Sequence, residues 1–355
     1  MDLPPQKVLV VRLSAMGDVI HALPGVRALR QALPETEIGW VIEERWSELL
    51  CAKGYPREGP LSEQRPLVSL VHHVRTQAWR RNLFARATWK DFRNCFRELR
   101  AVRYDTALDL QGAIRSAVVA SWSGARQVVG SAAPRESLAR MFYNKKIDAA
   151  GTHVIEQAYS FLQGWDKKIS ALPDAILPRD PTAEDWCDQY CAELHPSKIV
   201  LMNPGAGWGA KQWPAERYGQ VAQELASDGY TVLVNYGPGE GSLAQAVKTS
   251  SGEVARLVEC SLGELIALTR RAALLVGGDT GPLHLAAALK IPVVAIFGPT
   301  NPARNGPFGT RSVVLRSPES ATSHKRHAQT ESGMFHITKD QVLAGARRLL
   351  QGDAI

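Results

Sequence analysis

Leu274 to Thr300 reads LLVGGDTGPLHLAAALKIPVVAIFGPT. The stretch opens on an apolar strand, passes through a glycine-rich turn, continues as a helix begun by Pro282, and closes on a second apolar strand that ends in Gly-Pro-Thr. Strand, helix and strand in that order form the repeating unit of a parallel sheet with crossover helices. The turn Gly277-Gly278-Asp279-Thr280-Gly281-Pro282 collects backbone N–H groups, a hydroxyl and the positive end of a helix dipole at one point. A diphosphate binds well in such a place. His284, three residues after Gly281 on the first turn of the helix, can face the same ligand, although a lone histidine there is usually structural.

On either side of this stretch, β-rich runs alternate with helical patterns along the whole chain. Strands are expected near Lys7–Leu13, Glu37–Ile42, Val68–His72, Thr106–Asp109 and Gln127–Gly130, then near Ile199–Asn203, Thr231–Tyr236, Leu274–Gly277 and Val293–Phe297. Between the two sets, Lys167 to Pro181 (KKISALPDAILPRDP) holds three prolines and little helical period, so it reads as a linker. Lys339 to Leu350 reads as a closing helix. The chain of 355 residues is also too long for one ordinary core, since domains cluster near roughly 100 to 150 residues. The expected fold class is therefore α/β, with doubly wound domains at 1–166 and 182–338, a linker at 167–181 and the closing helix within 339–355. Doubly wound sheets bind ligands at the carboxyl ends of their strands, so a cleft between the domains is the expected site.

Three further loops carry candidate residues. Asn203-Pro204-Gly205-Ala206-Gly207-Trp208-Gly209-Ala210-Lys211-Gln212-Trp213-Pro214 again follows a strand and precedes a helix; its glycines permit close backbone approach and Lys211 supplies one compact positive charge. Glu240 follows a third strand and can accept hydrogen bonds from ribose hydroxyls; in isolation it is a helix N-terminal acid. In the first domain, Ser14-Ala15-Met16-Gly17-Asp18 follows the opening strand. A carboxylate at a helix start is most often an N-cap, worth about 1 kcal/mol. The functional alternative makes Asp18 a general base that accepts a proton from an acceptor hydroxyl. Full G-x-G-x-x-G and G-x-x-x-x-G-K-[ST] patterns are absent at this loop, against a standard dehydrogenase or P-loop enzyme.

Composition narrows the classes. Hydrophobic residues at 45% and charged residues at 22% are the balance of a globular chain. No run reaches the about 18 apolar residues of a membrane span, and Arg12 breaks the first apolar run before it resembles a signal peptide, so a cytoplasmic setting is expected. Cys51, Cys95, Cys187, Cys191 and Cys260 lack the paired spacing of a disulfide framework or zinc site, and buried small hydrophobes are the better reading. The net charge of +7 sits in the first half: residues 1–170 carry 25 basic against 17 acidic side chains, the remainder 17 against 18. Its densest stretch, His72 to Arg103, has eight arginines and Lys90 against Asp91 and Glu98. Nucleic acid, anionic lipid and a phosphorylated substrate all fit that field.

With these residues in view, the chain resembles the lipopolysaccharide heptosyltransferases of glycosyltransferase family nine over nearly its whole length. The resemblance rests on VLVVRLSAMGDVIHALP, DLQGAIRSA at Asp109–Ala117, RESLARMFYNKK at Arg135–Lys146, AKQWP at Ala210–Pro214, and GGDTGPLHLAAAL followed by FGPTNP. SAMGDVIHALP and FYNKK point to the branch that adds the first heptose. The resemblance implies GT-B architecture, two Rossmann-like domains facing across a cleft, with the acceptor on the N-terminal and the donor on the C-terminal domain. It implies an inverting enzyme that needs neither metal nor cofactor and moves heptose from ADP-heptose to Kdo of Kdo-lipid A, at the cytoplasmic face of the inner membrane. Asp18 would be the base. Lys211 would contact the ADP-heptose diphosphate, Glu240 the ribose, and Asp279, Thr280, Gly281 and His284 the diphosphate and heptose. Arg80, Arg81 and Arg135 would receive the anionic acceptor. The chain departs from the family near Glu240, where Gly241 and Ser242 replace the several acids expected.

Other readings are weaker on the same residues. A later-acting heptosyltransferase would share these motifs. A nucleotide-sugar epimerase would keep the nucleotide loops but has no use for a lipid-facing basic surface. A nucleic-acid binder would explain the basic half, with Trp79 and Trp89 stacking on bases, yet no nucleic-acid motif is present. Retention of both Asp18 and Lys211 counts against a catalytically dead relative.

Overall fold

In KVLVV, every residue after Lys7 is apolar, which leaves no polar face for solvent. Such a strand must be covered on both sides, as in the centre of a parallel sheet, and Val8, Leu9, Val10 and Val11 are fully buried. The computed structural model describes residues 5–82, 85–194, 197–323 and 329–352; positions 1–4 of the expected first domain and 353–355 of the closing segment lie outside the described residues.

The chain forms two compact units, Met1–Asp180 and Pro181–Ile355. In the first, β1 (Lys7–Val11), α1 (Met16–Ala32), β2 (Glu37–Glu43) and β3 (Leu70–Val74) lead to α2 (Thr76–Arg81) and α3 (Arg86–Val102). β4 (Thr106–Asp109), α4 (Ile114–Trp122), β5 (Gln127–Ser131), β6 (Lys145–Ile147) and α5 (Val154–Trp165) complete it. All strands run parallel in the order β3-β2-β1-β4-β5-β6. Leu9, Val11, Phe96 and Leu99 lie in the core on one face of this sheet.

The second unit begins with α6 (Pro181–Ala192), β7 (Ile199–Asn203), α7 (Ala215–Ser227), β8 (Thr231–Asn235), α8 (Gly241–Ser250) and β9 (Arg256–Val258). It continues with α9 (Leu262–Arg271), β10 (Ala272–Gly278), α10 (Gly281–Ala288), β11 (Val293–Phe297), α11 (Pro302–Asn305), β12 (Ser312–Arg316) and α12 (Lys339–Gln351). Its strands are also all parallel, ordered β12-β11-β10-β7-β8-β9. Counted from its own first strand, each sheet has the Rossmann order, with the direction of winding reversing between its first and fourth strands. The switch points fall between β1 and β4 and between β7 and β10.

The structure refines the expected elements at the sheet margins. β3 lies two residues later than the run from Val68 suggests, and β6, β9 and β12 are additional strands; all four are at or next to a sheet edge or form one. The proline-rich segment from residue 167 has no helix until Pro181. It packs on the first unit, burying Ile169 and Leu177 and donating the Arg179 N–H to the Glu63 carbonyl at 2.8 Å. α12 lies on the second sheet, with Val342, Ala346 and Leu349 buried. Among the described residues no helix is long and apolar enough to cross a membrane.

Candidate active site

At the first switch point, the residues after β1 meet those after β4. Asp18 is not the N-cap of α1: that position belongs to Ala15, and Asp18 is the third helical residue, reaching back to accept the Ala15 N–H at 3.1 Å. Its other oxygen pairs with Arg12 Nη2 at 2.8 Å, and Arg12 Nε donates to the Asp18 carbonyl at 3.2 Å. Arg12 also donates to the Leu110 carbonyl, so one guanidinium ties the helix start to the β4 turn. The Asp18 side chain remains 39% exposed, which leaves its carboxylate reachable by a ligand. Around it, Arg115 Nη2 donates to Ser14 Oγ at 2.8 Å and the Leu13 N–H donates to Gln111 Oε1 at 2.9 Å, while the buried Gln111 Nε2 has no hydrogen-bond partner.

Asp109, the last residue of β4, holds this end of the sheet together. One carboxylate oxygen accepts the Gln111 and Gly112 N–H groups at 2.9 and 3.2 Å. The other accepts Tyr143 O–H at 2.7 Å and Ser116 O–H at 2.9 Å. Complete burial pushes its pKa above the usual carboxylate range, against the lowering effect of those four donors. Asp109→Ala would leave the Gln111 and Gly112 N–H groups and the Tyr143 hydroxyl without an acceptor, while the Ser116 hydroxyl keeps the Ala113 carbonyl at 2.8 Å; a buried donor left unmade costs about 1 to 3 kcal/mol. The variant is therefore expected to unfold at least about 2 kcal/mol more easily in urea; an unchanged midpoint would show that water replaces the carboxylate.

At the second switch point, the loop after β7 meets the turn after β10. Lys211 Nζ lies 2.5 Å from Asp279 Oδ2 and 3.2 Å from the Asp279 carbonyl. His284 Nε2 lies 3.0 Å from Asp279 Oδ1. Burial of Asp279 would raise its pKa, but the His284 hydrogen bond, the charges of His284 and Lys211, and the Lys211 hydrogen bond outweigh it and hold the pKa well below the usual carboxylate range. Trp208 covers the ammonium, its ring centroid 5.0 Å from Nζ. Thr280 precedes α10 as its N-cap and Gly281 is its first residue, so free N–H groups and the helix dipole open beside the cluster. Backbone approach is close: a Cβ on Gly277 would lie 3.1 Å from the Asn203 carbonyl and one on Gly278 3.2 Å from that of Lys211.

Glu240 is the N-cap of α8, and its carboxylate accepts the Gly237 N–H at 2.9 Å. It lies over Gly205, where a Cβ would come within 2.2 Å of its oxygen, so Gly205 is the space that Glu240 occupies. The structure thus brings Lys211, Asp279 and His284 into contact, sets Thr280 and Gly281 beside them, and places Glu240 on the neighbouring strand end. Arg80 and Arg81 form the exposed last turn of α2, after β3, and the exposed Arg135 follows β5. The Arg135 backbone packs on Gly112, beside the β4 turn.

Sequence reasoning missed Arg12, Gln111, Arg115, the Asp109 cluster and the cover given by Trp208. The signal for Arg12 was present: a charged residue directly after four fully buried positions must find a partner. Cys187 and Cys191, four apart on α6, have their sulfurs 3.9 Å apart and remain free thiols, and among the described residues no cluster of three metal-ligating side chains occurs.

Comparison with known proteins identifies the family and the fold. The family described as glycosyltransferase family 9 (heptosyltransferase) matches residues 92–336. The chain is 31% identical to lipopolysaccharide heptosyltransferase 1 of Pseudomonas aeruginosa, over 88% of this chain and 84% of that protein. It is 29% identical to lipopolysaccharide heptosyltransferase 1 of Escherichia coli K12, over 88% of this chain and 94% of that protein. The solved structure of E. coli heptosyltransferase WaaC with ADP-2-deoxy-2-fluoro heptose has the same fold, with a TM-score of 0.73 at 24% identity, covering 96% of this chain and 99% of that one. The fold is accordingly the GT-B fold of those enzymes, and the chain belongs to glycosyltransferase family 9, the heptosyltransferases.

Proposed function

We propose that this enzyme is an inverting heptosyltransferase of lipopolysaccharide core synthesis that moves L-glycero-D-manno-heptose from ADP-heptose to Kdo of Kdo-lipid A. The observation that carries the donor half is the Lys211–Asp279–His284 cluster at a switch point beside the start of α10. Two N–H groups of Lys211 are directed at Asp279, which fixes the ammonium and leaves its third for a diphosphate oxygen. Thr280, Gly281 and the α10 dipole stabilise the remaining charge as ADP leaves, His284 orients the diphosphate and heptose, and Glu240 receives the ribose hydroxyls. Similarity to lipopolysaccharide heptosyltransferases 1 supports the acceptor and the first-heptose step.

On the acceptor side, Asp18 takes the proton of the attacking Kdo hydroxyl. Arg12 holds its carboxylate in one orientation, and the carboxylate stays accessible. With cationic side chains and a helix dipole facing the leaving group, no metal is required, so turnover is expected to be unchanged by a chelator; recovery on adding Mg²⁺ would contradict this. The enzyme works at the cytoplasmic face of the inner membrane, where its lipid-linked acceptor resides.

Arg80, Arg81 and Arg135 serve the anionic acceptor. Converting all three to glutamine should raise the acceptor KM at low salt and flatten its salt dependence, because exposed charges are screened as the Debye length falls from about 10 Å at 0.1 M to 3 Å at 1 M. The donor KM should hold. A normal acceptor KM at low salt would assign these arginines to solubility alone.

A further inference from the structure

We infer that the turn Ser137–Phe142, with the first residue of α4, is the element by which this enzyme docks on an anionic lipid surface. Ser137–Phe142 is a 3₁₀ turn, and residues three apart in such a turn lie on one face. Leu138 and Met141 are three apart, and they are 59% and 81% exposed. Ile114 joins them: it is 37% exposed, and its N–H donates to Glu136 Oε2 at 2.9 Å, immediately before the turn.

The inner side of the turn is fixed. Ala139 is fully buried, and Tyr143 is buried with its hydroxyl on Asp109. The Tyr143 ring occupies the space that a Cβ on Gly130 would fill, at 2.2 Å. The Glu136 N–H donates to the Gly112 carbonyl at 2.9 Å. The buried Asp109 cluster therefore braces the turn from beneath, and its apolar side chains are held outward by packing that exposes them.

Charge selects the occupant. Arg135 and Arg140 are exposed at the turn and Lys146 on β6 after it; the acid beside the turn, Glu136, is engaged with the Ile114 N–H, and Asp148 lies beyond Lys146. Apolar side chains that protrude among basic ones match a bilayer of anionic phospholipid, where the former enter the acyl boundary and the latter meet headgroups. The position is also apt: the turn follows β5 and rests on the β4 turn, in the same unit as Asp18. This inference draws on the proposed lipid-linked acceptor for its purpose but on none of the transfer chemistry for its evidence.

The test is co-sedimentation of the full chain with vesicles of phosphatidylcholine alone or with phosphatidylglycerol, in the absence of any sugar donor. Wild type should bind the anionic vesicles and not the neutral ones. Leu138→Ser with Met141→Ser should weaken binding about tenfold, and Arg140→Gln with Lys146→Gln by a larger factor that shrinks in high salt, since each basic side chain at such a surface is worth about fivefold. Both variants should keep the wild-type melting temperature and turnover on a deacylated, soluble acceptor. Trp89→Ser, at an exposed aromatic elsewhere in the unit, should bind normally. The inference is overturned if the Leu138/Met141 variant binds like wild type, if Trp89→Ser carries the loss, or if the same variant instead abolishes a concentration-dependent dimer. Because binding is read without turnover, a failed transferase reading would leave this result standing, and the converse also holds.

Discussion

Replacing Asp18 by asparagine is expected to lower kcat by roughly 10²- to 10⁴-fold, the usual worth of a positioned general base, while ADP affinity stays within a few-fold. The asparagine oxygen can still accept the Ala15 N–H, so the start of α1 is retained and the loss falls on proton transfer. The contact with Arg12 weakens from an ion pair to a neutral hydrogen bond, a modest change at a partly exposed site. The acceptor KM should move far less than kcat, since the missing interaction is made in the transition state. If acceptor-dependent ADP release continues near the wild-type rate and only stability falls, Asp18 serves the helix start and the base lies elsewhere.

Lys211→Ala is expected to raise the Kd for ADP roughly 10- to 100-fold by calorimetry, within the 1 to 3 kcal/mol of a charge-assisted hydrogen bond left unmade. Removal of the ammonium does more than delete one contact, because it leaves the buried Asp279 carboxylate facing an incoming diphosphate. Unchanged affinity would place the diphosphate away from β7 and β10. The same cluster makes a pH prediction. Asp279 is held below its ordinary value by His284 and Lys211 against the opposing effect of burial. A carboxylate with a depressed folded value contributes its stability in full above the unfolded value, near 3.9, and loses it as pH falls through the folded one. The stability difference between wild type and Asp279→Asn should therefore be flat from neutral pH to about 5 and shrink below about 4. A difference that instead vanishes between pH 8 and 6 would mean that another group governs the cluster.

Central strands were legible in the sequence because burial on both faces writes itself as a continuous apolar run: β1, β7, β10 and β11 read directly from KVLVV, IVLMN, LLVGG and VVAIF. Of the edge strands only β3 was, and two residues early. β6 (KKI) and β9 (RLV) have three residues each, and β12 (SVVLR) is half-buried along most of its length, so neither periodicity nor length separates them from loops. The loops at the switch points were visible through their glycines, which mark where Glu240 and the strand-end carbonyls approach. What the sequence concealed were pairings between distant positions. Arg12 with Leu110 depends on β1 and β4 being neighbours, and Asp109 with Tyr143 on β4 lying beside β5, facts of topology that no local pattern states. The basic excess of the first half was visible as a number, but its use by the 137–142 turn became apparent only once burial showed which side chains face outward.

Transfer of heptose from ADP-heptose to a Kdo acceptor can be measured by incubating the purified enzyme with ADP-heptose and Kdo-lipid A and following both ADP release and the mass of the acceptor. ADP is expected only when donor and acceptor are both present, in step with an acceptor heavier by one heptosyl residue. ADP release at the same rate without acceptor, or an acceptor of unchanged mass, would contradict it.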